Sequence, residues 1–425
     1  MTNPFVTLQS SLRWIDHDSK ARERTLRILS LFQEKESRDE LGLGSVRDSF
    51  ADQLFPGTST IQTRLRYMLF VPWIYHSLEE KRLSAENFAI QADKLERALV
   101  QPLMDSDDQA GVFGKTAGKR LKRLPSSVYW AGLGVWGIRI TPFSQDEYHR
   151  RIDETYRRRN ALKTLEKDAK ARGDDIDVEQ REAFLSWDRR LPASPEDFPL
   201  TVNFALSREE AEFIRDRIQF ACPNSLLSFL ALHCEPADTQ APWEHPDYSS
   251  FSKQHKELLT HARLFSEVMH GAALSYNVQL AEEFLKNNKT ERIEIALEKH
   301  KLNFDEWTAN LPMEEIRTWP IKRLWELTVG HAHTITHQTK SFVEQWIGHT
   351  QKFPKKLLSY RESLELVRQR EISLKDRGRS KKSRFTNQNA LKQWGGYSGV
   401  GRVVYRWPNV KVLLNDLYRG LRQDA

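Results

Sequence analysis

Histidines at 331, 333 and 337 are the residues of this chain whose type and spacing come nearest to metal chemistry. His333 and His337 stand four apart, which on a helix presents two imidazoles to one ion. No acidic ligand or general base accompanies them, as it does in the His-Glu-x-x-His pattern of metalloproteases. Cys222, His233, Cys234 and His245 are a second set of potential ligands, and their spacing matches no zinc finger or ribbon. The structural reading is favoured at both places, and no cofactor is expected.

Two glycine motifs point to nucleotides and fail on context. Gly114-Lys115-Thr116 resembles the end of a phosphate-binding loop, but Gln109 stands where its first glycine belongs. Gly132-Leu133-Gly134-Val135-Trp136-Gly137 satisfies Gly-x-Gly-x-x-Gly, with Glu154 at a distance suited to a ribose. However, Thr141-Pro142 interrupts the helix that should follow, and no strand-helix-strand unit surrounds it. Close backbone packing is the expected use of these glycines. No Gly-x-Ser-x-Gly elbow is present, and Glu-x-Lys sequences such as Glu79 to Lys81 sit on polar helices rather than on the strands of a metal-dependent nuclease.

What remains is charge. The chain has 425 residues and 65 Lys+Arg against 58 Asp+Glu, a formal net charge of +7. A bias of that size matters only where it is clustered. Three clusters occur, at 115–123, 150–159 and 375–384. In the second, Arg150 and Arg157, and likewise Arg151 and Arg158, are seven apart and share a helix face. In the third, Asp376 is the one acid among Lys375, Arg377, Arg379, Lys381, Lys382 and Arg384. Aromatic residues follow it, including Tyr397 and Trp407. Cations neutralise phosphates and release counterions, while aromatic rings stack on exposed bases. The expected nucleic-acid contacts are therefore Arg150, Arg151, Arg157, Arg158, Lys381, Lys382 and Arg384, with Tyr397 and Trp407 as stacking groups. Against this stands the plainer reading of two solvated helix faces and a solubilising linker.

The elements that position these residues read as mainly helical. Ser45 to Phe55 and Thr60 to Tyr75 predict helices; Tyr67, Phe70, Val71, Trp73 and Ile74 recur at the spacing of one helical face and form core. Arg47, Arg64 and Arg66 are expected on the opposite side. Ala21 to Phe32 and Ala85 to Val100 give further amphipathic helices. Ser144 to Glu147 and Ser207 to Glu210 are capping boxes. His255 to Leu285 and Asn303 to Trp346 read as long helices. After a basic, flexible connector at 375–384, Asn387 caps a short helix. A glycine loop, a strand through Val403, Tyr405 and Trp407, and a closing helix capped by Asn409 complete a small α/β module. The expected division is a helical domain at 1–172, a polar, proline-containing connection at 173–200, a second helical domain at 201–370, and a basic linker with terminal module at 371–425.

Met1 to Phe5 has no cationic segment followed by an apolar one, and the apolar run Tyr67 to Tyr75 is far shorter than the roughly 20 residues that span a bilayer. The expected location is the cytoplasm, without a membrane partner.

Arg38-Asp39-Glu40-Leu41-Gly42-Leu43-Gly44, Phe55 to Arg64, Phe70-Val71-Pro72-Trp73-Ile74-Tyr75, Ser126 to Trp130, Leu206 to Leu230, Ala262 to Ala273 and Trp394 to Trp407 together resemble a bacterial domain-of-unknown-function family, numbered six-three-six-one, over nearly the whole chain. The resemblance brings no catalytic residues. It implies a context among bacterial defence and mobile-element genes, and so a role beside DNA-processing partners. The leading expectation is an accessory component that binds nucleic acid, DNA in the first instance, and docks partner proteins. The alternatives are a metal-dependent hydrolase at the histidine cluster and a protein-interaction scaffold whose Trp73 block is partly exposed.

Overall fold

The computed structural model describes residues 39–115, 118, 121, 123–172, 185–233, 235–329, 333–376 and 378–423. The expected helix at 21–32, residues 173–175, Lys119, Arg120, Lys122, Cys234, His331 and Arg377 lie outside them.

Helices follow one another along the described chain. The first five are α1 (Gly44–Leu54), α2 (Tyr67–Glu80), α3 (Ala85–Ala98), α4 (Val100–Asp105) and α5 (Pro125–Val135). Next come α6 (Gln145–Arg150), α7 (Ile152–Arg172), α8 (Arg208–Ala221) and α9 (Leu226–His233). The 35-residue α10 (Lys253–Asn287) leads to α11 (Glu291–Ala309), α12 (Met313–Thr318), α13 (Ile321–Thr328) and α14 (His337–Lys352). The last are α15 (Arg361–Lys375), α16 (Gln388–Lys392) and α17 (Trp407–Leu421). Among the described residues there is no sheet; β pairing is limited to isolated bridges such as Arg139 with Trp187.

Local chemistry explains many of the boundaries. The Asp39 carboxylate accepts from the backbone N–H groups of Leu43 and Gly44 at 2.6 and 2.7 Å and so opens α1. Ser207 and Glu210 form the full reciprocal box that starts α8. Ser144 accepts from Glu147 N, but the Glu147 carboxylate pairs with Arg151 at 3.2 Å, so only half of that box forms. Asn387 caps α16 as expected. The long helix expected at 303–346 is divided, because Pro312 and Pro320 exclude the preceding residue from helical backbone; each stands at the N-cap of the next helix.

α10 is the axis: α11, α14, α15 and α1 all pack against it. The Trp73 block is core. Tyr67 to Tyr75 is buried throughout, so the scaffold reading loses the exposed patch on which it depended. Arg64 and Arg66 are buried as well, 6% and 8% exposed, and do not face solvent. Arg64 binds Asp416 of α17 and Asp108, while Arg66 binds Glu210 at 2.7 Å, so each guanidinium finds a carboxylate that compensates for lost water. Buried apolar side chains from Leu41 to Tyr418 form one continuous cluster.

The expected C-terminal α/β module is absent. Tyr405 and Arg406 adopt left-handed backbone, with φ of 50° and 66°, which ends any extended run at that point. Tertiary bonds hold them there: Tyr405 Oη donates to Ala262 O at 2.7 Å, and Arg406 Nη1 donates to Asp52 at 2.6 Å. Trp407 already belongs to α17. Asn409 does not cap that helix; its amide donates to the carbonyls of Thr60 and Gln62.

Candidate functional site

After Lys375, the last residue of α15, the described residues of the basic stretch (376 and 378–384) form an organised loop. Asp376, its single acid, accepts from the backbone N–H groups of Lys382 and Ser383, both at 2.8 Å, and from Thr386 Oγ1 at 2.6 Å. These hydrogen bonds hold its carboxyl below the usual range. Asn387 Nδ2 donates to Lys381 O at 2.7 Å. The backbone is thus fixed while the side chains of Lys381 and Lys382 remain exposed.

Arg384 turns inward instead. Its Nη1 lies 2.9 Å from Glu40 Oε1 and donates to Tyr276 Oη at 2.7 Å. Glu40, 8% exposed, also accepts from Lys375 Nζ and Ser398 Oγ. Lys375 Nζ lies 2.9 Å from the fully buried Glu371, which accepts from Ser383 Oγ too. Burial alone would raise the Glu40 pKa. Arg384, Lys375 and Ser398 outweigh it, and the carboxyl titrates at about 2.

Beneath this cluster the glycine loop is bolted to α10 and α11. Asn277 Nδ2 donates to Ser398 O at 2.8 Å, and its Oδ1 accepts from Ser398 N at 2.9 Å. His300 Nε2 donates to Gly396 O at 2.7 Å. Gly396 sits at φ 97°, a backbone other residues avoid. Two segments that carried the family resemblance, Arg38 to Gly44 and Trp394 to Trp407, therefore meet at the Glu40–Ser398 hydrogen bond.

A cavity of about 660 Å³ opens beside the cluster, lined by Asp39, Glu40, Lys375, Lys382, Arg384 and Gln393 among others. Each carboxylate of the cluster is held by a cation, so the arrangement offers hydrogen-bond donors and positive charge rather than a free base.

The other candidates divide. Arg151 and Arg158 both pair with Glu154 and both lie over the Phe143 ring, at 5.0 and 5.9 Å from its centroid. Arg150 and Arg157 are exposed; each donates Nε to a carbonyl one turn earlier and has no carboxylate partner among the described residues. Tyr397 is half-buried, with His300 edge-on at 4.8 Å. Trp407 is 1% exposed, packed on Phe55 and donating Nε1 to Thr239 O, so it has no open face for a base.

His333 and His337 are not helical neighbours, since α14 begins at His337 with Thr336 as its cap. His333 Nε2 donates to Asp52 at 2.7 Å, and His337 is exposed. Among the described residues, no group of three or more His, Cys, Asp or Glu is placed to hold a metal ion. Glu40, Glu371, Tyr276 and Asn277 were missed as site residues; only the lone acid at 376 and the quoted motif around Glu40 gave a signal.

The structure defines a mainly helical protein with a hydrogen-bonded basic loop set over a buried ionic cluster. Among the described residues, no helix is long and apolar enough to cross a membrane. The chain belongs to the family of unknown function DUF6361, whose model matches residues 9–419. No curated protein and no solved structure matches it.

Proposed function

We propose that this protein binds nucleic acid through Lys381 and Lys382, supported by Arg150 and Arg157, as an accessory, partner-docking component of a bacterial anti-phage or mobile-element defence system. The observation that carries the reading is the Asp376-centred loop. It presents two exposed ammonium groups on a backbone already fixed by Asp376 and Asn387, which lowers the ordering cost of binding a polyanion. Arg384 anchors the loop to Glu40 through Nη1.

The test is a salt titration of binding to short single- and double-stranded DNA by the full-length chain and its Lys381→Glu/Lys382→Glu variant. The variant is expected to bind at least about tenfold more weakly, with a log–log salt slope shallower by about 1.4–1.8, the release expected from two phosphate contacts. Unchanged affinity removes the loop from the interface.

A further inference from the structure

We infer that the cavity beside Glu40 receives a phosphomonoester, at the end of a nucleic-acid strand or on a nucleotide, between Lys382, Arg384 and Gln393. The inference rests on the nucleic-acid reading above and names the ligand group of the same loop.

Both carboxylates in the lining are committed elsewhere. Asp39 spends its two oxygens on the N–H groups of Leu43 and Gly44. Glu40 is taken up by Ser398, Lys375 and Arg384. Glu40 braces Lys375 and Arg384, Asp39 braces the backbone before α1, and what they leave open are donors. Arg384 uses Nη1 for both Glu40 and Tyr276, so the rest of its N–H fork is tied to neither. Lys382 has no carboxylate partner among the described residues, and the Gln393 amide, exposed at the end of α16, has no side-chain partner there.

Three cations and two acids line the cavity, and Glu371 behind it is taken up by Lys375, so the surplus charge is that of Lys382, which has no carboxylate partner among the described residues. A monoester carries about −1.5 to −2 at neutral pH, where a strand's internal diester carries a single charge, so the monoester gains more from that surplus. A cavity of about 660 Å³ is the size of a small-ligand site, and its lining is too polar and charged for an apolar ligand.

The experiment compares oligonucleotides of one sequence carrying a 5′-phosphate, a 3′-phosphate or hydroxyls at both ends, by fluorescence anisotropy at fixed salt. The full-length chain and its Gln393→Glu variant are used. Gln393 is exposed, so the isosteric change places a negative charge in the cavity without disturbing the core; an unchanged melting temperature verifies that. One phosphorylated strand is expected to bind about tenfold tighter than the hydroxyl strand, as one added charge-assisted contact implies. In Gln393→Glu the ratio of phosphorylated-strand to hydroxyl-strand affinity is expected to fall to one. Displacement by deoxyadenosine monophosphate identifies the monoester alone as the ligand, while a preference that survives the competitor ties it to the strand end. Equal affinity for all three strands overturns the inference and leaves nucleic-acid binding standing. Failure of every strand to bind overturns both.

Discussion

The Arg384 guanidinium lies 2.9 Å from the Glu40 carboxylate, which fastens the C-terminal basic loop to the residues just before α1. Glu40 is 8% exposed, so removing its charge strands Arg384 in a poorly solvated place and leaves Lys375 with Glu371 alone. Glu40→Gln is expected to cost about 3 kcal/mol, read by denaturant unfolding, as is usual when one partner of a buried pair is lost. Lys381→Glu/Lys382→Glu, by contrast, should unfold at the parent midpoint, because both side chains are exposed. A loss of stability in that variant equal to the loss in Glu40→Gln would contradict the division between anchor and contact.

The same pair sets the acid limb of stability. The Glu40 carboxyl is lowered from 4.5 to about 2, so between those values the unfolded chain binds a proton that the folded one does not. The stabilisation is fully present above about pH 4.5 and is lost as pH falls towards 2, a range of about 3 kcal/mol. Glu40→Gln should abolish that part of the acid slope. Superimposable parent and variant slopes would refute it.

Glu96 has the opposite sign. It is 1% exposed, Oε2 accepts from Ser126 N at 2.7 Å, and Oε1 has no hydrogen-bond partner among the described residues. Burial pushes its carboxyl up to about 7 despite the Ser126 bonds. Between about pH 4.5 and 7 the folded state keeps a proton that the unfolded chain has released, so this group makes stability fall as pH rises. Glu96→Gln retains the acceptor for Ser126 and removes the charge. Its stability should be flatter with pH and exceed the parent's above pH 7, by about 1–3 kcal/mol in urea titrations. A variant less stable than the parent in that range would show that the carboxylate is tolerated in the core.

Gly132 is placed by backbone contact. A Cβ there would sit 2.3 Å from Gly57 O, a carbonyl held in a turn where Trp136 Nε1 donates to Pro56 O at 2.9 Å. Gly132→Ala gains at most about 1 kcal/mol of helix propensity, and overpacking costs about 1–3 kcal/mol, so net destabilisation is expected. Gly348, on α14, would meet nothing within 4 Å, and Gly348→Ala should raise the melting temperature. The two substitutions moving together would leave the close approach without effect.

Gly132 also shows what the sequence made legible. Its packing role is legible from the glycine motif although its partner, Gly57, is distant in the chain; the Ser207–Glu210 box, the Asn387 cap and the burial of the Trp73 block rest on neighbours a few residues away, where spacing carries the information. The fates of Arg64, Arg66 and Arg384 do not. Their partners, Asp416, Glu210 and Glu40, come from distant segments, and no local period encodes such a pairing. The alternation of Val403, Tyr405 and Trp407 matched a strand because period-two burial also arises where an irregular segment crosses a core. The histidines at 333 and 337 matched a helix whose cap, Thr336, falls between them.

The basic stripe on α6 and α7 gives the last test, because its four arginines are not equivalent. Arg151 and Arg158 converge on Glu154 and cover Phe143, so their charge is already partly neutralised. Among the described residues, Arg150 and Arg157 donate to the carbonyls of Asp146 and Asp153 and have no carboxylate partner, so they keep their charge for solvent. Arg150→Glu/Arg157→Glu should therefore weaken DNA binding and reduce the salt slope by about 0.7–0.9 per lost contact. Arg151→Gln/Arg158→Gln should chiefly release three exposed pairs, Arg151 with Glu147 and Glu154 and Arg158 with Glu154, each contributing on the order of 0.5 kcal/mol to stability, with little change in the slope. Both double variants are read in one salt titration of DNA affinity beside one urea melt. Equal slope changes in the two would mean that Glu154 does not withhold its partners from phosphate, and the whole stripe would then belong to the interface.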